Sequence, residues 1–526
     1  MPTSSAARAM PCRGPALAAG LSFLLAVAGC SSDDDRDRVD GPGFGGSPAP
    51  ARGDLIGSAA HLRTLTTAGL FADLDEPLRQ ALLVQAGSPV CDVALHKIRY
   101  ATVGGRGEPT EASAALMAPA GADTRCTGAR PLVLYAHGTS TDRDYDIADF
   151  DGGTTENPEG LLVAAFFAAQ GYLVVAPNYA GYDTSTLDYH PYLVAGQQSA
   201  DMIDALTAAR SALPGSAASA TSHDGDVFVT GYSQGGYVAM ATQRALEAAG
   251  EPVAAGAPMS GPYALAAFVD AVFAGRVNGG STVQGTFLFT AYERSFGDVY
   301  DSPGELFAPQ YADGIETLFP SEVTRGALYD AGKLPRDAFF STDPPAPEFA
   351  EQTPPTTPEA FAPLFAQGFA ATDFLIRNEF RLSYLRDMQA HPDGFWPTLT
   401  TAAPAATPAL PLRRALVEND LRDWVPQAPT LLCGGHDDPT VYWLNTQAMS
   451  AYWNSRGVVP PVTVVDVDAA PTGPADPYAN LKNRFGLAKD LVAAQGGFTA
   501  VLENYHAGLV PPFCLEAVRA FFEGHR

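Results

Sequence analysis

The sequence predicts an α/β fold, a mostly parallel sheet flanked by helices, with one long insertion between two of its strands. Three observations carry this. An apolar run, Asp226 to Thr230, leads through Gly231-Tyr232-Ser233-Gln234-Gly235 into a helix-like stretch from Tyr237 to Ala249. A second run, Ala428 to Cys433, ends in the pair Gly434-Gly435. A closing stretch, Phe513 to Glu523, repeats apolar residues at helical spacing after Tyr505-His506-Ala507-Gly508. Short apolar runs bounded by turns and alternating with helical patterns are how buried parallel strands and their crossover helices read.

From the N-terminus, Arg8 and Arg13 precede an apolar run from Leu17 to Ala28. That run is too short to cross a bilayer as a helix, which takes about 20 residues. Val27-Ala28-Gly29-Cys30 resembles a bacterial lipobox, whose cysteine becomes the acylated first residue of the mature chain. The reading is therefore a lipoprotein signal over 1–29, Cys30 as the lipidation site, and an exported protein held on the periplasmic face or the cell surface. A plain secretory signal cleaved elsewhere is the alternative. Residues 30–53, opening on Ser31-Ser32-Asp33-Asp34-Asp35 and rich in Gly and Pro, read as a flexible tether.

The core is expected over 54–262 and 425–526. Residues 54–85 read as helices with no chemistry attached. Gly104-Gly105-Arg106-Gly107 reads as a hairpin turn, since no Gly-Lys-Ser/Thr follows to make a phosphate loop. Arg130 to Ala136 reads as a strand that runs into His137-Gly138-Thr139.

The chemistry centres on Ser233. A strand-to-helix turn sharp enough to lift a hydroxyl above the sheet leaves no room for a Cβ two residues before or after the serine, and both positions are glycine. A helix N-cap serine would not require both. Asp438, at the carboxyl end of the Ala428 to Cys433 strand, is the candidate acid, with Asp437 its rival. The Gly435 to Val441 spacing that favours Asp438 is a family pattern. His506, after the acid and just before the terminal helix, is the candidate base. The oxyanion donors are expected to be the amide of Gln234 and that of Gly138 or Thr139. His190, in Asp188-Tyr189-His190-Pro191-Tyr192, is a candidate to line the pocket mouth, and the other histidines read as packing or surface residues. Consecutive ligands at His436-Asp437-Asp438 suit few metal geometries, so no metal and no cofactor are expected.

In this order the motifs resemble the α/β-hydrolase superfamily. A closer likeness is to its secretory lipase family, through Gly171 to Tyr182, Tyr192 to Gln198 and His506 to Pro511. The resemblance implies lipase or esterase activity on an ester or lipid substrate. Gln234 with the extra Gly236 departs from it toward cutinase-like esterases, which leaves substrate size open. An amidase or peptidase on the same fold, and a lipid-anchored binding protein with a relic site, are the other readings.

Ser233 and Asp438 belong to one sheet, so the long segment between them, residues 263–424, reads as a cap over the site. Its Phe365, Phe369, Ile376, Phe380, Tyr384 and Met388 suit one helical face, which either lines an acyl pocket or packs the cap on the core. The formal charge of −26 argues against nucleic acid as a partner. Cys91, Cys126, Cys433 and Cys514 allow two disulfides in three connectivities, or four buried thiols. Cys91 with Cys126, bracketing two strands, and Cys433 with Cys514 are the favoured pairs.

Overall fold

The computed structural model describes residues 50–72, 74, 76–150, 158–213 and 220–526. Cys30, the signal segment and nearly all of the tether lie outside these residues. The tether ends early: Gly53 N–H donates to the Ala101 carbonyl at 2.9 Å and the Arg52 guanidinium meets Asp204 at 3.0 Å.

Among the described residues seven strands precede the insertion: β1 (Ala60–Leu65), β2 (Asp92–Val103), β3 (Pro109–Ala120), β4 (Gly128–Ala136), β5 (Leu173–Pro177), β6 (Thr221–Tyr232) and β7 (Ala255–Met259). Two-residue strands β8 (Phe340–Ser341) and β9 (Phe369–Ala370) pair within it, and β10 (Thr430–Gly434) and β11 (Val462–Asp466) follow. Among the described residues the main sheet has nine strands, in the order β1-β2-β3-β5-β4-β6-β7-β10-β11. From β5 to β11 neighbours run parallel, while β1, β2 and β3 join antiparallel. Residues 173–177 and 132–136 are wholly buried, as strands covered on both faces must be.

Because β4 is followed by β5 on one side and β6 on the other, the chain reverses its direction of winding there. The crevice at the carboxyl ends of such strands is where open sheets place ligands. The helices that matter to it are α1 (Glu76–Ala86), α2 (Pro158–Phe166), α3 (Ala195–Ala212), α4 (Gln234–Ala248), and, in the insertion, α5 (Leu265–Phe273), α6 (Ser281–Phe296), α7 (Asn378–Ala390) and α8 (Pro411–Glu418). Then come α9 (Leu444–Ser455), α10 (Ala479–Asn504) and α11 (Val510–Glu523). No helix among the described residues is long and apolar enough to cross a membrane.

Two expectations fail. Residues 60–65 form an edge strand, not a helix, because pairing with β2, His61 opposite His96, supplies hydrogen bonds that weak local propensity does not reveal. The helical run from Phe365 to Met388 is broken at Gly368, whose carbonyl accepts from Phe339 and Phe340 N–H at 2.8 and 3.0 Å and so joins the β8–β9 pair. Glycine is a poor helix interior residue, and this competing partner decides the matter.

Both disulfide pairs form: Cys91–Cys126, and Cys433–Cys514, which joins β10 to α11.

Candidate active site

Ser233 stands between β6 and α4 with φ 59° and ψ −121°, a conformation a serine adopts only under constraint. The constraint is visible around it. A Cβ on Gly231 or Gly235 would collide with the Ala136 carbonyl of β4, and one on Gly236 with the Met259 carbonyl of β7. Ser233 N–H itself donates to that Met259 carbonyl at 3.0 Å. The glycines thus let the turn press into the sheet and leave the serine hydroxyl facing out.

Ser233 Oγ lies 2.8 Å from His506 Nε2, and His506 Nδ1 lies 2.7 Å from Asp438 Oδ2. With Nδ1–H donating to the carboxylate, Nε2 is left to accept the serine proton. Asp438 is 2% exposed, and its second oxygen accepts from Thr440 and Val441 N–H at 2.9 and 3.0 Å. The carboxylate is therefore gripped by two amides on one side and an imidazole on the other. Tyr232, beside the serine, donates its hydroxyl to the His506 carbonyl at 2.5 Å and steadies the single π-helical turn, Tyr505–Leu509, that carries the histidine.

Asp437 turns away. It meets the Lys489 ammonium at 2.9 Å, and the same ammonium contacts Asp468 at 2.5 Å. His436, Asp437 and Asp468 bring ligand-type atoms within 4.8 Å of one another, but the lysine already supplies the positive charge there. Asp438 faces His506 and takes no part in that cluster.

On the oxyanion side the structure separates the candidates. Gln234 is the first residue of α4, where an amide has no intrahelical acceptor. Gly138 N–H is committed elsewhere: it donates to both oxygens of Glu159 at 3.1 and 3.2 Å. A carboxylate from the first turn of α2 thus engages the Gly138 amide, whereas Thr139 N–H has no acceptor among the described residues. Tyr135 O–H also donates to Glu159, at 2.8 Å. Burial pushes this carboxyl up to about 7, against the lowering effect of those donors. No sequence signal marked Glu159, which opens an apolar helix like any first-turn acid.

His190 is not at the pocket mouth. It is wholly buried, with Gln234 between it and the cavity. His137 is equally buried, stacked on Tyr179 with ring centroids 4.2 Å apart, and desolvation lowers it to about 4, so it stays neutral.

An apolar cavity opens from Ser233, Gln234 and Val441 into the insertion. Leu265, Phe268, Val272 and Phe273 of α5, Leu288 and Phe289 of α6, and Phe339 line it. The aromatic face anticipated from Phe365 to Met388 lies elsewhere: Phe380 and Tyr384 pack on the far side of Phe273, and the Arg381 guanidinium stacks between Phe340 and Phe369. Helical spacing identified a packed stripe but could not say against what.

Among solved structures, the chain is similar to the rice cell wall degrading esterase LipA from Xanthomonas oryzae. The two are 27% identical, with a TM-score of 0.64 over 91% of this chain and 100% of that one. A protein from Legionella pneumophila, 19% identical and matched over 90% of this chain and 98% of its own at a TM-score of 0.60, shares the fold. No family model and no curated protein matches the sequence.

Proposed function

We propose that this chain, an α/β-hydrolase by fold, is a serine hydrolase of carboxylic esters, exported and held to a bacterial membrane through a lipidated Cys30. The observation that carries the reading is the unbroken hydrogen-bonded series Ser233, His506, Asp438 at the carboxyl ends of the parallel strands. His506 takes the Ser233 proton as Oγ attacks the ester carbonyl. The amides of Gln234 and Thr139 meet the oxyanion, and Asp438 holds the imidazolium that forms. His506 then gives its proton to the departing alcohol oxygen. Water, activated by the same histidine, releases the acid and restores Ser233. The acyl part lies in the cavity between α5 and α6, and residues 263–424 act as a cap. The likeness to an esterase supports the ester substrate; the two disulfides and the lipobox support export.

The test is labelling by a fluorophosphonate together with turnover of p-nitrophenyl esters and of aminoacyl anilides. Ser233→Ala should abolish labelling and lower ester turnover by several orders of magnitude. Faster turnover of anilides than of esters would move the assignment to an amidase, and more than a tenth of wild-type ester activity in Ser233→Ala would reject it. Cys30→Ala should release the protein from the membrane fraction; continued sedimentation would place the anchor elsewhere.

A further inference from the structure

The two sides of the oxyanion site are tied together by one loop, residues 188–194. Within it, His190 is wholly buried. Its Nδ1–H donates to the Ala180 carbonyl at 2.9 Å, which leaves Nε2 an acceptor. Gln234 donates its side-chain N–H to that Nε2 at 2.7 Å. Burial holds the ring's pKa down to about 3, so it remains an acceptor throughout the working pH range. The residue that follows the nucleophile is therefore gripped from behind.

Two residues further on, the Tyr192 and Thr139 hydroxyls share a hydrogen bond of 2.9 Å. Either hydroxyl can donate; with the phenol, the stronger acid, donating, Thr139 Oγ1 accepts and its own proton can turn elsewhere. Leu193, the next residue, has φ 55°, a left-handed conformation that a side chain with a Cβ keeps only under restraint. The restraint is present: its N–H donates to Gln198 Oε1 at 2.9 Å, and its carbonyl accepts the hydroxyls of Tyr237 and Tyr292, each at 3.0 Å. From α6, Phe287 stacks flat on Tyr192, ring centroids 4.7 Å apart, and edge-on to His190 at 5.7 Å.

We propose that residues 188–194 are the template of the oxyanion hole, with His190 and Tyr192 as positioning residues: His190 orients Gln234, and Tyr192 turns the Thr139 hydroxyl proton toward the oxyanion as a third donor. The proposal rests on the serine-hydrolase reading. It also gives α6 a catalytic consequence, because the helix that lines the cavity braces the loop that sets the donors. A loop that only packs the core would lower stability when altered and leave the split between kcat and KM untouched.

The experiment is a double-mutant cycle of Tyr192→Phe and Thr139→Val, read by p-nitrophenyl acetate kinetics and by inhibition with a trifluoromethyl ketone. Removing an oxyanion donor costs about 100-fold to 1,000-fold in kcat, and loss of the group that aims it should cost less, roughly tenfold. Tyr192→Phe should thus lower kcat about tenfold with KM within about twofold, and weaken the ketone by the same factor. In the Thr139→Val background it should add nothing, because the hydroxyl it aims is gone. Unchanged kcat, a loss carried by KM, or losses that multiply in the double variant overturn the proposal. If Tyr192→Phe does not fold, Thr139→Ser against Thr139→Val decides: the serine should keep most of the activity, and equal losses in the two sink the idea. For His190, Gln should preserve kcat where Leu lowers it, and equal kcat in both would remove His190 from the template. Wild-type protein that no fluorophosphonate labels would remove the serine-hydrolase reading itself, whereas labelled enzyme indifferent to Tyr192→Phe removes only this inference.

Discussion

Adjacent residues, Asp437 and Asp438, separate here into unlike roles. Asp438 is enclosed by His506 and two amides, whereas Asp437 meets the Lys489 ammonium at a half-exposed position. Asp438→Asn should lower kcat/KM for p-nitrophenyl acetate roughly 10³-fold to 10⁴-fold, by leaving the imidazole in the wrong tautomer. Asp437→Asn should stay within a few fold, since an exposed ion pair contributes little. The opposite ranking would move the acid by one residue. Glu159 invites a different measurement. Its folded pKa of about 7 lies above the ordinary glutamate value of 4.5, so the protonated form is the one folding favours. Below pH 4.5 both states are protonated and there is no penalty. As the pH rises to about 7 the unfolded chain releases its proton first and stability is lost, by on the order of 3 kcal/mol in all, with no further change above that. Glu159→Gln keeps an oxygen for Gly138 and Tyr135 but cannot titrate. Its melting temperature should match wild type at about pH 4 and exceed it at about pH 8, on either side of that window; wild type equal to the variant at both would refute the account.

At the level of elements, α5 and α6 line the cavity while α7 packs behind them. The two positions predict opposite signatures. Phe289→Ala, on the cavity wall, should lower octanoate turnover relative to acetate. If the shortened side chain no longer touches two methylenes of the acyl chain, at about 0.8 kcal/mol each, the ratio should fall roughly tenfold. Phe380→Ala, 5% exposed and packed toward Phe273, should instead cost about 3–5 kcal/mol of stability with the octanoate to acetate ratio unchanged. An unchanged ratio in Phe289→Ala and its cavity neighbours would mean that the insertion does not receive the acyl chain.

For the molecule as a whole, the second half of the site depends on a cross-link. Cys433–Cys514 joins the strand that ends at the acid to the helix that follows the histidine, closing a separation of 81 residues. In the chain-entropy account a loop of that size is worth about 4.5 kcal/mol. Cys433→Ala with Cys514→Ala should lower the melting temperature and bring the midpoint of thermal inactivation down with it. Loss of Cys91–Cys126, whose cysteines precede β2 and β4 at the ends away from the elbow, should lower the melting temperature while leaving kcat at room temperature unaltered. An inactivation midpoint left unmoved by loss of Cys433–Cys514 would show that this bridge does not bear on the site.

Steric necessity writes some features into neighbouring residues, and those could be read from the chain. Glycines on both sides of Ser233, a strand before it and a helix after it have to be adjacent in sequence for the turn to exist. The parallel strands were legible for the same reason, since burial on both faces demands continuous apolar runs. Whatever depends on partners distant in sequence was settled only by the packed fold. Strand β1 exists because β2 lies beside it, and the helix expected through Gly368 yields to a sheet bond with Phe339 and Phe340. The Gly138 amide, expected to be open to an oxyanion, donates to Glu159, and His190 is buried behind Gln234. A hydrogen bond is settled by which acceptor arrives within about 3 Å, and that is a property of tertiary packing, not of local spacing.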